Sequence, residues 1–270
     1  MSRLVLFGPG YTGARLADRL QARGWTVTRI GRAEFDEAGH ALASATHIVS
    51  TVPPGEEGDP VLTRYRPVLA QASAWIGYLS STGVYGDTGG AWVDESAPIG
   101  AGRRSLRAAA DRDWLSLGAH VFRLPGIYGP GRSPLDRIVS GQAYRVALPG
   151  QVFSRVHVDD IVSAVIAGFD APQGAYNIAD DLPAPQDEVT AYAARLLDMS
   201  LPPVVALDDL PAPARAFYSE NRRIANGRAK RLLGWQPLHP TYREGLRAIS
   251  ATISPASVSA APKAAVTDQR

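Results

Sequence analysis

The first half of the chain alternates between short apolar runs and amphipathic segments. Five runs have the length and composition of buried strands: Arg3 to Phe7, Trp25 to Ile30, Thr46 to Val52, Trp75 to Ser80 and His120 to Leu124. Three segments have the apolar spacing of helices: Tyr11 to Arg23, Asp59 to Ala74 and Leu106 to Leu117. Strands that alternate with helices predict an α/β fold, a Rossmann-type parallel sheet with helices on both faces.

After Leu124 the elements become shorter and less regular. Short strands are predicted at Tyr144 to Pro149, Phe153 to Val158, Ala175 to Ile178 and Arg222 to Asn226. Helices are predicted at Asp159 to Phe169, Pro185 to Leu197 and Gly227 to Leu233. We therefore expect a main domain over residues 1–126 and a smaller C-terminal lobe over 127–250, interleaved with it. Residues 251–270 lack periodicity and are expected to form a disordered tail.

Two local features refine this outline. The residues between Ile30 and Thr46 suffice for one helix, whereas a complete doubly wound sheet requires a helix–strand–helix series there. The sheet edge beyond the second strand is therefore expected to be trimmed. Asp59, followed by a proline, predicts a helix start, and Pro67 is expected to kink that helix or end it early.

A glycine-rich turn follows the first strand and opens the first helix. Gly8 permits a tight turn, Gly10 lets the backbone approach a pyrophosphate, and Gly13 lets helix and strand pack closely. The amides at Tyr11 and Thr12 and the helix dipole would face the anion. The context predicts a dinucleotide site; a purely structural turn is the alternative.

The end of the second strand bears on the choice between NAD and NADP. An acidic residue there binds the 2′-hydroxyl of NAD, whereas an arginine accommodates the 2′-phosphate of NADP. Here Gly31 holds the acidic position and Arg32 follows it, which favours NADP. Glu34 and Asp36 lie slightly further on and keep NAD as the alternative.

Composition narrows the function classes. The chain has no cysteine, which excludes disulfides, thiolate metal sites and cysteine nucleophiles. This and the missing signal-peptide pattern favour a cytoplasmic location. No apolar run reaches the roughly 18 residues that span a membrane. The net charge is +2 and the basic residues are scattered, unlike those of a nucleic-acid binder. A small-molecule substrate is the expected partner, without nucleic acid or membrane.

Further motifs follow the glycine turn in a fixed order. They are Tyr78 to Asp87, Asp94 to Pro98, Arg123 to Gly131, Arg155 to Asp160, Tyr176 to Ile178 and Leu233 to Pro237. Together they resemble the extended short-chain dehydrogenase/reductases, the NAD-dependent epimerase/dehydratase group, over nearly all of the chain up to about residue 250. The resemblance implies a nicotinamide cofactor and leaves a homodimer open.

The resemblance assigns the reacting-oxygen donor to Ser81. In the family a Ser or Thr stands three residues before the Val of the Ser-Ser-x-x-Val-Tyr-Gly segment, and here Ser81 precedes Val84 by three. Such a donor is needed near the carbon that gains or loses hydride. Ser80 is placed beside the cofactor. Turn chemistry at a strand end is the plain alternative for this segment.

The family's Tyr-x-x-x-Lys pair is missing from the next helix. If Asp111 matches the acidic residue one turn after the family's Lys, then Arg107 holds the Lys position and Arg103 the Tyr position. An arginine keeps its proton near neutral pH and cannot donate it. Arg107 could still bind ribose or phosphate. The chain is thus nearer the atypical members that lack this pair.

Tyr85 and Tyr128 remain as candidate proton donors, although the resemblance gives both a usual role in packing. It also implies cofactor contacts at the strand ends: Thr51, Val52, Pro53, Leu124, Pro125 and Ile127.

His157 with Asp159 and Asp160 would in isolation suggest a metal or acid–base site. The resemblance instead implies a strand-to-helix junction with an Asp as helix cap, and no metal. Phe153 stands where relatives that bind nucleotide sugars carry an arginine, and Arg155 lies two residues on. This substitution argues against a nucleotide sugar as substrate.

We predict an NADP-dependent oxidoreductase or epimerase-like enzyme acting on a small polar substrate. The alternative is a non-catalytic NADP-binding redox sensor or regulator. Arg103 and Arg107 favour the alternative, whereas Ser81 and the glycine turn favour the enzyme.

Overall fold

The computed structural model describes residues 2–102 and 104–252. The strands are β1 Arg3–Phe7, β2 Thr26–Ile30, β3 His47–Ser50, β4 Trp75–Ser81, β5 Trp92–Val93, β6 His120–Leu124, β7 Gly126–Tyr128, β8 Arg155–His157, β9 Gly174–Asn177 and β10 Arg223–Ile224. The helices are α1 Tyr11–Gln21, α2 Gly39–Ala43, α3 Pro60–Gln71, α4 Ser105–Ser116, α5 Pro134–Val139, α6 Val158–Ala167, α7 Gln186–Leu196, α8 Ala212–Phe217, α9 Gly227–Leu232 and α10 Tyr242–Ser250. None of the described helices is both long and apolar enough to cross a membrane.

Six strands form a parallel sheet in the order β2-β1-β3-β4-β6-β9. Within the described residues no strand pairs with β2 on its outer side, which confirms the trimmed edge. The link from β2 to β3 contains a 3₁₀ turn at Phe35–Glu37 and the short α2. Strands β5 and β10, and strands β7 and β8, form two small parallel pairs outside this sheet.

Successive side chains of a strand point to opposite faces, and this alternation divides the core into two layers. Leu4 and Leu6 of β1 pack with buried residues of α1 and α6. Val5 and Phe7 of the same strand pack with α3 and α4 on the other face. The predicted α/β fold with helices on both faces is confirmed.

A third core lies among α5, α7 and α10, where Leu135, Val189 and Leu246 are buried together with Tyr128 of β7. Strand β9 follows β7 and β8 in the chain and still belongs to the central sheet. The chain therefore returns to the sheet after it has begun the lobe. The boundary at residue 126 stays a prediction.

Two predictions about individual elements are wrong. Tyr144 to Pro149 forms no strand, because its pairing is limited to one bridge between Arg145 and Val204. The strand predicted from Phe153 begins only at Arg155 and ends at His157, where α6 starts.

Helix α3 confirms one prediction and excludes one of the two alternatives given for Pro67, whereas the other alternative, a kink, stays a prediction. The Asp59 carboxylate accepts hydrogen bonds from the amides of Val61 at 2.9 Å and Leu62 at 3.1 Å, which confirms the predicted cap. The helix does not end early at Pro67 but continues to Gln71. Pro67 lies on the exposed side, and the buried Leu69 anchors the last turn in the core.

The predicted tail lies, from residue 253 on, outside the described residues, and so does Arg103.

Candidate functional site

A cavity of about 1010 Å³ opens where β1, β3, β4 and β6 end. One end is lined by the glycine turn and the strand ends: Gly10, Tyr11, Thr12, Thr51, Leu79 to Thr82, Arg107 and Leu124 to Tyr128. The other is lined by the lobe, including Arg137, Phe153, Arg155, Phe217, Arg222 and Tyr242. In parallel α/β sheets ligands bind at the carboxyl ends of the strands. The first end is called the inner end below and the second the outer end.

The glycine turn has the geometry that its sequence predicts. Gly8 has φ +76°, which a side chain would strain. A Cβ at Gly13 would lie 2.8 Å from the carbonyl oxygen of Gly8, so helix and strand meet closely there. A Cβ at Gly10 would meet nothing within 4 Å. Helix α1 begins after Gly10 without a side-chain cap, so its first amides are open to a ligand anion.

Some of the residues at the strand ends beside this turn line the cavity, and others do not. Thr51 lines the cavity, and its hydroxyl donates to the Gly8 carbonyl at 2.5 Å, which ties β3 to the turn. Val52 packs beside Gly8. Val52 and Pro53 are not among the residues that line the cavity, whereas Leu124, Pro125 and Ile127 all line it.

The end of β2 holds both candidate selectors of the cofactor. The Glu34 carboxylate accepts a hydrogen bond from the Gly31 amide at 3.0 Å. This bond brings the acidic group back to the strand end. Arg32 is exposed and, within the described part of the chain, has no hydrogen bond or ion pair. Arg32 and Glu34 thus belong to the same turn at the end of β2.

Ser80 and Ser81 lie at the end of β4 with different surroundings. The buried Ser80 hydroxyl donates to Asp111 at 2.7 Å. Ser81 lines the cavity, and its oxygen accepts the amide of Gly83 at 3.1 Å. In the described residues the Ser81 hydroxyl donates to no protein acceptor. Its proton is therefore available to a ligand in the cavity.

Arg107 lies in α4 and also lines the cavity. Its guanidinium donates to the Tyr78 hydroxyl at 2.9 Å and contacts the Leu79 carbonyl at 3.5 Å. One turn later the fully buried Asp111 forms two hydrogen bonds with Arg123, at 2.8 and 3.1 Å. Asp111 thus fixes α4 against β6 and holds Ser80, which positions the floor of the inner end.

Tyr85 is directed away from the cavity. Its hydroxyl donates to Asn177 at 2.7 Å and accepts from Arg123 at 2.9 Å. Burial raises the pKa of Tyr85 to about 12. It does not line the cavity, so the structure does not bring it together with Ser81.

Tyr128 is among the residues that line the cavity, but its hydroxyl is buried and has no hydrogen-bond partner among the described residues. A Cβ on Gly245 of α10 would overlap this hydroxyl, so the oxygen lies against the helix backbone. Burial and, secondarily, the nearby Asp180 raise the pKa of Tyr128 far above its usual range. In this position the hydroxyl is sealed from the cavity.

The junction of β8 and α6 differs from the prediction in its cap. The cap is His157 itself, whose Nδ1 accepts the Asp159 amide at 3.2 Å. Asp159 pairs with Arg15 at 2.8 Å, and Asp160 accepts the amide of His239 at 3.2 Å. The prediction of an Asp cap is wrong because both carboxylates are drawn to partners far along the chain.

His157, Asp160 and His239 bring potential metal-ligand atoms within 4.8 Å of one another. The two imidazole rings stack with centroids 4.1 Å apart and planes inclined by 10°. Ring lone pairs lie in the ring planes, so parallel stacked rings cannot direct them at one ion. In this arrangement the group packs rather than coordinates.

Sequence analysis missed Arg132 and the contact between the Tyr11 side chain and the loop after β7. The Tyr11 hydroxyl donates to the Pro130 carbonyl at 3.0 Å, and the Arg132 guanidinium lies 5.6 Å from the Tyr11 ring centroid. These contacts join the glycine turn to the loop after β7. An arginine directly after the Gly129 to Gly131 motif was the signal that could have found them.

No family model matches the chain. A functionally unknown conserved protein from Silicibacter pomeroyi is 41% identical, with a TM-score of 0.84 over 93% of this chain and 99% of that one. The human epimerase family protein SDR39U1, solved with NADPH, is 18% identical, with a TM-score of 0.75 over 93% and 100%. A 3-diazoavenalumate denitrifying reductase from Streptomyces is 29% identical over 67% of this chain and only 64% of its own length.

Other structural neighbours are epimerases and dehydratases solved with NAD, all below 20% identity. At that distance the likeness shows the fold alone. The predicted resemblance to the NAD-dependent epimerase/dehydratase superfamily is therefore confirmed for the fold.

Proposed function

We propose the following function for this chain. The chain belongs with the conserved Silicibacter pomeroyi protein and has the fold of the NAD-dependent epimerase/dehydratase superfamily. The chain binds NADP at the inner end of the cavity and acts as an oxidoreductase on a small substrate. The observation that carries the proposal is that the glycine turn and the unengaged Ser81 proton face one cavity.

The residues at the inner end fit a dinucleotide. The free space at Gly10 and the uncapped start of α1 suit a pyrophosphate. Arg107 lies at the strand ends, in reach of a ribose or phosphate, and Leu124 and Ile127 offer an apolar surface for a nicotinamide ring. Arg32 and Glu34 stand where the adenosine ribose arrives, and Arg32 favours the 2′-phosphate of NADP.

The nicotinamide, when bound, supplies or accepts a hydride. Ser81 binds the substrate oxygen: its own oxygen already accepts the Gly83 amide, which leaves the hydroxyl proton to donate. A donor placed where negative charge develops stabilises the transition state. Neither Tyr85 nor Tyr128 presents its hydroxyl to the cavity, so the proton that completes a reduction comes from water in the open cavity.

The alternative from another class is an NADP-binding sensor without catalysis. Arg107 in place of a lysine and the directions of Tyr85 and Tyr128 favour it. The open cavity beside Ser81 favours the enzyme, because a sensor does not require space for a second ligand. The two functions are distinguished by incubating the protein with NADPH and carbonyl compounds and monitoring the NADPH absorbance. Loss of absorbance with any of these compounds supports the enzyme, and no loss with all of them supports the sensor.

The cofactor assignment is tested by calorimetric titration with NADPH and NADH. We expect tight NADPH binding, and Arg32→Glu is expected to weaken NADPH binding by about tenfold or more through loss of a charge-assisted contact. NADH binding should change little. Arg23→Glu makes the same charge change at the opposite end of β2 and is the control. Equal effects of Arg32→Glu on both cofactors would contradict a 2′-phosphate contact, and no binding of either would overturn the proposed function.

A further inference from the structure

The cavity has an excess of cationic side chains that extends beyond the glycine turn. Among the described lining residues six are arginines and two are acids. One carboxylate oxygen of Asp136 accepts hydrogen bonds from the amide and the hydroxyl of Ser133, at 2.7 and 2.6 Å. Glu220 pairs with Arg222 at 2.9 Å. The lining therefore keeps a net positive charge that a ligand would neutralise.

The arginines divide between the two ends of the cavity. Arg107 and Arg132 lie beside the strand ends and Tyr11, where cofactor phosphates would neutralise them. Arg155 is buried and hydrogen-bonded to the carbonyls of Phe153 and Ala184 at 2.8 and 2.9 Å. Arg137 also lies at the outer end, on α5, and unlike Arg155 it is exposed.

The Arg137 guanidinium contacts an aromatic ring rather than a carboxylate. Its guanidinium lies 5.3 Å from the ring centroid of Tyr144. Among the described residues its guanidinium makes one hydrogen bond, to the Gln142 carbonyl, and this bond is long at 3.4 Å. No carboxylate of the described residues lies within ion-pair distance of it. The planar guanidinium group of Arg137 is thus held in one orientation and is still able to form a bidentate pair with a carboxylate.

The surroundings of Arg137 are aromatic. A smaller cavity of about 300 Å³ adjoins the large one, and Arg137 and Phe217 line both. Tyr144 and Tyr218 complete its aromatic walls. The Phe217 ring stacks on Phe153 at 4.5 Å and is still 43% exposed. An exposed aromatic face beside a cation suits a ligand that carries a ring and an acid.

We propose that the outer end of the cavity binds a small aromatic carboxylic acid, with Arg137 paired to the carboxylate and Phe217 against the ring. This deepens the proposed function by naming the chemical class of its substrate.

The test measures the affinities of 2-naphthoate and its neutral isostere 2-naphthamide by calorimetry, on both the free and the NADPH-saturated protein. We expect 2-naphthoate to bind at least tenfold more tightly than the amide. Arg137→Met should abolish this preference. The matched control is Arg195→Met, because Arg195 is also exposed and lies 5.7 Å from a tyrosine ring, yet does not line the cavity.

Phe217→Ala should weaken both ligands by about tenfold and leave their ratio unchanged. Thermal unfolding of each variant checks that it folds, and Arg137→Gln replaces Arg137→Met if that variant is unstable. Equal affinity of the native protein for acid and amide would overturn the proposal, and so would equal effects of the Arg137 and Arg195 variants.

The NADPH titration separates this proposal from the proposed function. NADPH binding without a preference for the acid overturns the substrate class alone. A preference for the acid without NADPH binding supports the Arg137 site and overturns the oxidoreductase.

Discussion

Buried polar groups differ in their hydrogen bonding between the inner end of the cavity and the C-terminal lobe that contains α10. At the inner end Thr51 is bonded to Gly8, Ser80 to Asp111, and Asp111 to Arg123. In the lobe five buried polar atoms have no hydrogen-bond partner among the described residues: the Tyr128 hydroxyl, Nε2 of His157, one carboxylate oxygen of Asp180, Nε of Arg228 and Nδ1 of His239.

This difference affects the stability of the two regions. An unpartnered buried polar atom costs about 1–3 kcal/mol, so a cluster of them lowers the stability of the lobe. Thr51, Ser80 and Asp111 at the inner end all have hydrogen-bond partners, so none of these three carries that cost. The lobe also contains Asp180, a carboxyl whose pKa is raised by burial. We therefore expect the inner end to respond to changes in binding and catalysis, and the lobe to respond to pH.

The largest expected effect is catalytic. Ser81→Ala should lower kcat by about 100-fold or more for any carbonyl substrate that the native protein reduces, because it removes the oxygen donor. NADPH affinity should stay within about twofold, since the cofactor contacts remain. Ser81→Thr keeps the hydroxyl and should retain most of the activity. A kcat that survives Ser81→Ala would assign the oxygen-binding role to another group.

A smaller effect is expected from Gly10→Ala on NADPH binding. The added Cβ meets no protein atom within 4 Å and Gly10 has φ −79°, so the fold accepts alanine. A pyrophosphate at the start of α1 would meet the methyl group, and NADPH affinity should fall by about tenfold. Gly39→Ala, also in open space, is the control. Unchanged affinity with an unchanged Tm would show that the backbone at residue 10 does not approach the cofactor.

The smallest expected effect is on the stability of the lobe. Burial raises the pKa of Asp180 to about 8, from an ordinary value near 3.8. Between these values the folded protein keeps a proton that the unfolded chain releases, so stability falls as pH rises from about 4 to 8. Asp180→Asn should remove this loss and raise Tm by a few degrees at pH 8, with a smaller gain at pH 5.

Arg155 does not require Asp180 as a partner, because it keeps its bonds to two carbonyls and Gln186. Asp209→Asn changes an exposed carboxyl and serves as the control, with no change in Tm expected. A gain from Asp180→Asn that does not grow with pH would show that the buried carboxyl is ionised throughout this range.

The sequence by itself determined the parts of the molecule that depend on neighbours along the chain. The apolar runs placed the strands of the central sheet, the short link after Ile30 left β2 at an edge, and Asp59 capped α3. The turn from Gly8 to Gly13 has the predicted geometry because φ and close backbone approach are local properties of glycine.

Only the tertiary structure decided the parts that depend on residues far apart in the chain. Tyr85 faces Arg123 and Asn177 rather than the cavity, because the sheet registers β4, β6 and β9 side by side. Arg137 and Phe217 are 80 positions apart and meet at one cavity wall. Periodicity and spacing report which face a residue occupies. Tertiary packing decides which distant residue lies opposite that face. The residues at the outer end of the cavity are adjacent because of this packing.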